Sequence, residues 1–439
     1  MAMLTKKNLY PDYLTASGWN ALLSPRAAYT RLPPSRRFKT VVIGAGYTGL
    51  AAARRFAELE PAQQVLVIDA STVGEGAAGR NSGFLSRLPN RPRANRHGTV
   101  EDAAQRQMRI YKAGNTWLRE LVAEHNIDCE WDETSPRFSA AATAAGVQSL
   151  QATARSYKRW GVPCEEFDVS ALQQRIGTDY YQYGYQTPYN TFVQPAALIR
   201  GLADSLPENV QLVECLPASR IDHGHGRHIV HTRAGAFECD RLIVANNGFA
   251  RRLGILKDRL ITIYTYAGLT VPLDHTEQSK LGKVPAWGII PAHRLGSTLR
   301  KTRDGRFMVR SAYSYERELP PDQVGAMLSQ LYRNRYPHMR SHVFEHVWGG
   351  CTALTLNGGM YFGEVRPGLY ASAGCNGAGV LRGSIQGKLL AELACREDSD
   401  TLSDLMKLEG PNWIPPEPMR KIGVLSVIAM ERRKAGLER

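Results

Sequence analysis

The sequence predicts an α/β (α+β) protein in which a discontinuous Rossmann-type nucleotide-binding domain is joined to a second domain built on an antiparallel sheet. Two observations predict this fold. A βαβ pattern lies near the N-terminus, with a strand at 40–43, a glycine turn at 44–49, a helix at 50–59 and a strand at 65–68. A further strand, glycine-rich turn and helix lie far along the chain, at 368–395. Both pieces are typical of one parallel sheet, so the second domain is expected to be inserted between them as two excursions.

The expected boundaries follow from where these patterns stop. The nucleotide-binding domain is expected to comprise 38–90, 190–250 and 346–439, the second domain 91–189 and 251–345, and residues 1–37 a leader packed on the body. Apolar residues at three-to-four spacing predict largely helical structure over 100–175. Strands are predicted at 218–220, 261–271 and 306–311.

Composition indicates an ordinary globular protein with a large core, since 43% of the 439 residues are hydrophobic. The seven cysteines have no metal-ligand spacing, which is typical of reduced thiols in the cytoplasm. No signal peptide and no long apolar stretch is visible, so we expect neither secretion nor a membrane span. The net charge of +14 is dispersed, which is typical of general surface charge. Of the ligands that could account for it, a negatively charged substrate is favoured over nucleic acid.

Two further patterns are interpreted as structural. His223, His225, His228 and His231 lie in and beside a polar loop without a completing ligand set, so no metal site is expected. An apolar run at 423–430 precedes the basic tail 431–439. That run could be a membrane-surface helix, but a C-terminal helix docked on the body is the preferred interpretation.

The glycine turn after the first strand fits the GxGxxG pattern of dinucleotide sites. Gly44 allows the tight turn, Gly46 lets the backbone approach a pyrophosphate, and Gly49 lets the helix pack on the strand. The N–H groups at the start of the helix are available to phosphates. Asp69 ends the second strand, where a carboxylate accepts hydrogen bonds from ribose hydroxyls.

The first fingerprint serves both FAD and NAD and therefore cannot distinguish them. The C-terminal turn can. The segment 374–379 leads into a helix at Val380, and its positive end would face the flavin ring and stabilise negative charge there. A nicotinamide dehydrogenase has no need of this element. The loop 74–83 is glycine-rich and is expected to pass under the flavin and phosphates, with Arg80 near the pyrophosphate.

These motifs resemble the FAD-dependent amine and amino-acid oxidase family, which includes glycine oxidase, D-amino-acid oxidase and sarcosine oxidase. The resemblance rests on 44–50, 79–81, 216–221, Trp348 with Thr355 and Leu356, and the glycines of 374–379. It implies FAD as the cofactor, and non-covalent binding is expected because Cys351 lies one residue away from the position of the cysteine that some members link to flavin. The residues expected to contact FAD are Gly44, Gly46, Tyr47, Thr48, Gly49, Asp69, Ala70, Gly79, Arg80, Asn81, Ser82, Gly83, Ser219, Gly248, Gly374, Asn376, Gly377, Gly379 and Val380.

The sequence departs from the family at several functional positions. Ala378 stands where members commonly have a histidine, and Leu381 where sarcosine-oxidase-like members have a lysine that binds the substrate carboxylate. Cys351 is one residue away from the cysteine that some members link to flavin. Met308 matches an oxygen-activating lysine of relatives, which leaves oxidase and dehydrogenase both open. Tyr264 matches a tyrosine that faces the flavin and is the candidate catalytic residue.

The expected function is oxidation of a C–N bond of an amine or amino acid to an imine, by hydride transfer to flavin N5, with O2 or another electron acceptor. Leu381 favours an amine whose reacting end lacks a neighbouring carboxylate or carries one farther away. Two alternatives stay open. One is an FAD-dependent hydroxylase that uses NAD(P)H, and the other is a flavin-dependent RNA-modifying protein suggested by the charge.

Overall fold

The computed structural model describes residue 10 and residues 12–224, 226–339 and 341–439. His225, which the sequence placed beside three other histidines, lies outside the described residues, as do 1–9 and 11 of the leader. The helices are α1 (Gly18–Ala21), α2 (Tyr47–Leu59), α3 (Val100–Glu124), α4 (Ala144–Arg159), α5 (Val169–Ile176), α6 (Pro195–Asp204), α7 (His275–Ser279), α8 (Pro321–Arg335), α9 (Gly379–Cys395), α10 (Asp400–Met406) and α11 (Met419–Ala435).

The strands include most of the segments that the alternation of apolar residues predicts. They are β1 (Arg37–Ile43), β2 (Val65–Ile68), β3 (Phe84–Ser86), β4 (Arg137–Ala141), β5 (Glu165–Asp168), β6 (Tyr183–Gln186), β7 (Asn190–Phe192), β8 (Val210–Val213), β9 (Arg220–Gly224), β10 (Arg227–Thr232), β11 (Gly235–Val244), β12 (Ile261–Thr270), β13 (Trp287–Pro291), β14 (Thr298–Lys301), β15 (Phe307–Tyr315), β16 (Phe344–Leu354), β17 (Tyr361–Arg366) and β18 (Leu369–Ala373).

The first sheet joins the two nucleotide-binding pieces that the sequence separates. Its order is β17-β18-β11-β1-β2-β8, and the pairs from β18 to β8 are parallel. Helices α2 and α9 lie so close that a Cβ at Gly387 would come within 2.1 Å of the Thr48 carbonyl oxygen. The sheet therefore brings the turn after β1 and the turn after β18 to the same edge, because the carboxyl ends of parallel strands meet there.

The second sheet has the order β16-β12-β15-β14-β13-β4-β6-β5 and is antiparallel except for the β13–β4 pair. It confirms the predicted antiparallel-sheet layer. The largely helical interpretation of 100–175 is wrong for β4 and β5, since all five β4 residues are buried and pair with strands distant in sequence. The expected boundary at residue 346 falls inside β16, which pairs with β12 along most of its length.

The C-terminal helix α11 is attached mainly by polar contacts. Arg432 donates to the Tyr313 carbonyl at 2.8 Å, and Glu431 accepts from Arg294, also at 2.8 Å. Its apolar side chains remain at least 43% exposed at Met419, Ile422, Leu425, Val427 and Met430. The polar contacts therefore agree with a docked helix, whereas these five apolar side chains are exposed. No helix in the described ranges has the length and apolar character needed to cross a membrane.

Candidate active site

A cavity of about 320 Å³ is lined by residues of both sheets. From the parallel sheet come the ends of β1, β2 and β18 and the turns that follow them. From the antiparallel sheet come parts of β12 to β16. Such a site at the carboxyl ends of parallel strands is the usual ligand position in this kind of sheet.

The three glycines of the first turn are required for three different reasons. Gly44 has φ +106° and lies against Ala245, where a Cβ would come within 3.0 Å of backbone atoms. A Cβ at Gly49 would lie 1.8 Å from the Gly44 carbonyl oxygen, so the start of α2 could not pack there. A Cβ at Gly46 would meet nothing nearer than the Ala78 Cβ at 4.0 Å. Of the three, Gly44 and Gly46 line the cavity, and Gly46 is the one with open space beside it.

Asp69 holds the first turn in place. Its carboxylate accepts hydrogen bonds from the backbone N–H of Ala45 at 2.6 Å and of Ser71 at 2.9 Å. Burial raises the pKa of Asp69. Asp69 and Ala70 both line the cavity, at the end of β2 where the sequence predicts a contact with the adenosine ribose.

The loop 74–83 forms another part of the wall, through Arg80, Asn81 and Ser82 among others. Gly79 and Gly83 are not in the lining. They are needed for backbone packing, since a Cβ would come within 2.1 Å of the Gly74 carbonyl oxygen and 2.2 Å of the Val193 carbonyl oxygen, respectively. The glycine content of the loop therefore reflects close backbone contacts as well as the cavity itself.

Arg80 is buried and bonded almost entirely within the protein. Its guanidinium donates to the carbonyl oxygens of Glu75 at 2.7 Å, Gly349 at 2.9 Å and Thr15 at 2.8 Å, and pairs with the Glu75 carboxylate at 3.0 Å. The guanidinium carbon lies 3.8 Å from the centre of the Tyr13 ring. These contacts join the loop, β16 and the leader, and they occupy four of the five N–H groups that an arginine carries.

The turn before α9 lines the cavity through Gly377, Gly379 and Val380. Asn376 and Gly374 lie behind this surface. The Asn376 side chain accepts from the Thr355 N–H at 2.9 Å and donates to the Gly374 carbonyl at 2.6 Å. No side chain caps the start of α9, so its first N–H groups are available to a ligand.

The candidate catalytic residue, Tyr264, is not among the residues that line the cavity, whereas Tyr266 is. Tyr264 packs edge-on against Tyr13, with ring centres 6.2 Å apart. Regular alternation would place Tyr264 and Tyr266 on the same face of β12. A register shift between Thr265 and Tyr266 interrupts this alternation, so strand periodicity alone does not show which of the two tyrosines reaches the cavity. The Tyr266 hydroxyl is already bonded to Ser314 at 2.6 Å and accepts from the Leu319 N–H at 2.7 Å.

Of the remaining expected residues, some line the cavity and others do not. Gly248 lines it, but Ser219 does not, and its hydroxyl donates instead to the His231 carbonyl at 3.0 Å. Leu381 and Met308, compared above with lysines of the family, are both buried in the core and absent from the lining. Leu381 faces α3, because a Cβ at Gly114 would lie 3.1 Å from its Cδ1.

Tyr10, Tyr13 and Arg310 are among the lining residues that sequence reasoning missed. Tyr10 and Tyr13 come from the leader, and Arg310 comes from β15. The Tyr13 hydroxyl accepts from the Cys351 N–H at 3.2 Å and so fastens the leader to β16. The aromatic content of the leader was the available signal, but without periodicity it does not indicate which wall a side chain joins.

The lining residues fit FAD. The space beside Gly46 would admit a pyrophosphate, and neither α2 nor α9 has a side chain capping its first N–H groups. The Asn246 side-chain oxygen is buried beside the cavity without a hydrogen-bond partner among the described residues. A polar ligand at this place would satisfy it.

Comparison with known proteins decides the family. The model of the DAO family, described as "FAD dependent oxidoreductase", matches residues 39–393. The chain belongs to this family. Proteins that are similar in sequence include "Probable oxidoreductase OrdL" of Rhizobium meliloti, 28% identical over 92% of this chain and 93% of the relative. The "Gamma-glutamylputrescine oxidoreductase" of Escherichia coli is 25% identical over 86% of this chain and 88% of that protein.

Solved structures agree with the DAO fold. Glycine oxidase from Geobacillus kaustophilus superposes with a TM-score of 0.71 at 18% identity, covering 83% of this chain and 96% of that one. L-proline dehydrogenase from P. horikoshii superposes with a TM-score of 0.67 at 17% identity, covering 84% and 96%. The family resemblance inferred from the glycine turns is confirmed, and this DAO-family chain is an FAD-dependent oxidoreductase.

Proposed function

We propose that this oxidoreductase converts an amine or amino acid to an imine by removing hydrogen across its C–N bond. The observation that carries the proposal is one cavity that joins the dinucleotide turn to a wall of the antiparallel sheet. The similar proteins support the chemistry, since their names describe oxidation of gamma-glutamylputrescine, glycine and L-proline. FAD, when bound, supplies an acceptor for the hydride at flavin N5.

The protein's part in this reaction is positioning. The α-hydrogen leaves as a hydride with the electron pair of its C–H bond, the N–H proton passes to solvent, and water then hydrolyses the imine. Reoxidation requires O2 or another acceptor. Burial raises the pKa of Tyr13, Tyr266 and Cys351, so these cavity groups stay protonated at neutral pH. The amine is therefore expected to react in its deprotonated form without a base from these three groups.

The test is anaerobic mixing of the FAD-loaded protein with candidate amines, NADPH or RNA while the flavin absorbance is followed. Bleaching by an amine supports the proposal when hydrolysis also yields the matching carbonyl compound, with ammonia from a primary amine or the smaller amine from a secondary one. Bleaching by NADPH alone would instead favour a hydroxylase. Binding of RNA, without flavin bleaching by any amine, would favour the RNA-modifying alternative.

We further propose that the reacting end of the substrate lacks a directly neighbouring carboxylate. Among the described residues that line the cavity, the cationic side chains are Arg80, which is paired with Glu75, and Arg310 on β15. No cation lines the turn before α9. Flavin reduction is expected to be faster with an alkylamine or a γ-glutamylated amine than with sarcosine, glycine or a D-amino acid. The reverse order would mean that a carboxylate next to the nitrogen is recognised after all.

FAD is proposed to bind non-covalently, although Cys351 lines the cavity. A thiolate is needed to attack a flavin, and burial raises the pKa of the Cys351 thiol, so the unreactive thiol form is favoured. Acid precipitation is expected to release the yellow colour into the supernatant. Colour that remained in the pellet of the native protein but not of a Cys351→Ser variant would establish a covalent link instead.

A further inference from the structure

The charged side chains that line the cavity differ in whether another protein group pairs with them. Among the described residues, its charged side chains are Asp69, Arg80 and Arg310. Asp69 is bonded to two backbone N–H groups, and Arg80 is paired with Glu75. Arg310 has neither a carboxylate within 4.0 Å nor a side-chain hydrogen bond to any part of the protein that the structure describes. Its guanidinium carbon lies 5.4 Å from the centre of the Tyr313 ring.

The strands around Arg310 leave space for its guanidinium. In the sheet register Arg310 lies opposite Ala267 of β12 on one side and opposite Thr298 of β14 on the other. All three residues line the cavity, and the two neighbours have small side chains. Cross-strand partners project to the same face of a sheet, so Arg310 is a large charged group between two small side chains of this wall.

We propose that Arg310 binds the carboxylate of an anionic amine substrate and thereby sets the specificity of the site. This proposal rests on the proposed function, because it assigns a substrate class to the same cavity. A partly buried guanidinium without a counterion is unfavourable, and a carboxylate can accept two parallel hydrogen bonds from it. Among the described lining residues, those from the antiparallel sheet include no glycine turn and no helix N-terminus, which are the features that suit the cofactor.

The sheet also indicates how far the carboxylate lies from the reacting carbon. The turn before α9 contacts β16, since Thr352 Oγ1 lies 3.5 Å from Cys375 Sγ. Arg310 on β15 is two strands away from β16, across β12. Thr352 lies opposite Ile263 of β12, and Arg310 lies opposite Ala267, four residues farther along that strand. At about 4.8 Å between neighbouring strands and about 3.3 Å per residue, the backbone separation is about 10 Å across the strands and about 13 Å along them. The substrate is thus an amine with its carboxylate several bonds from the nitrogen, a class that includes ω-amino acids and γ-glutamylated amines.

The experiment compares 5-aminopentanoate with pentylamine, which differ by the terminal carboxylate. In Arg310→Gln, kcat/KM for flavin reduction is expected to fall about 100-fold for 5-aminopentanoate and less than about twofold for pentylamine, as for loss of a charge-assisted bidentate contact. Arg310→Lys keeps the positive charge, so its kcat/KM for 5-aminopentanoate should lie between those of Arg310→Gln and the native protein. Arg317→Gln is the matched control, because it removes one exposed positive charge of the same region that does not line the cavity.

A binding measurement makes the result independent of turnover. Pentanoate, which cannot be oxidised at a C–N bond, is titrated against the flavin absorbance of the native protein and each variant. Weaker binding in Arg310→Gln alone supports the proposal. The proposal would be overturned if kcat/KM fell equally for both amines in Arg310→Gln, or if pentanoate binding were unchanged. Loss of FAD from Arg310→Gln would also overturn it, because Arg310 would then belong to the cofactor site. If neither amine reduces the native flavin, the proposed function has failed for these probes, and the pentanoate titration still decides whether Arg310 binds carboxylates.

Discussion

Replacing Gly46 by valine is expected to abolish FAD binding while leaving the fold intact. A Cβ at this position meets only the Ala78 Cβ at 4.0 Å, so the larger side chain enters the cavity without striking the protein. There it would occupy the space that the pyrophosphate needs beside the N-terminus of α2. Loss of two charge-assisted hydrogen bonds, at about 1.5–3 kcal/mol each, weakens binding by at least about 100-fold.

The measurement is flavin content after purification, together with circular dichroism and a melting curve of the apoprotein. Gly49→Val is the contrasting variant. Its Cβ would lie 1.8 Å from the Gly44 carbonyl oxygen, so that protein is expected to be unfolded or insoluble rather than merely colourless. Near-normal FAD content in Gly46→Val would contradict the placement of the pyrophosphate at this turn.

Replacing Arg80 by leucine is expected to lower the free energy of unfolding of the apoprotein by about 3–5 kcal/mol, because it removes a buried charge together with its ion pair and its hydrogen bonds to three carbonyl oxygens. The change leaves the carbonyl oxygens of Thr15, Glu75 and Gly349 without this donor and removes the counterion of the Glu75 carboxylate. The leader, the loop 74–83 and β16 would lose their common contact. Denaturant unfolding of the apoprotein measures the effect.

Arg109→Leu provides a matched control for Arg80→Leu. Arg109 also pairs with a carboxylate, that of Asp404 at 2.7 Å, but its side chain is 59% exposed. An exposed pair of this kind contributes less than about 1 kcal/mol. If Arg80 acts chiefly on the pyrophosphate, Arg80→Leu would instead weaken FAD binding and leave the stability of the apoprotein close to that of Arg109→Leu.

The sequence by itself determined those parts of this protein in which a short motif specifies both the backbone conformation and the ligand contact. Gly44 needs a positive φ, Gly46 needs open space and Gly49 needs close backbone contact, so one short motif specifies the turn, and the strands and helix on either side follow from apolar periodicity. The turn before α9 was recognisable for the same reason. Both motifs identified the family that the comparisons show.

The tertiary structure alone decided which side chains share the cavity. β4 is a strand because its buried residues pair with β6 and β13, and short-range periodicity carries no information about such partners. A register shift in β12 separates Tyr266 from the regular alternation that links it to Tyr264. Arg310 and Tyr13 reach the same cavity from β15 and the leader. Contacts between residues so distant in the chain depend on how the two sheets pack, which the local pattern of a sequence does not encode.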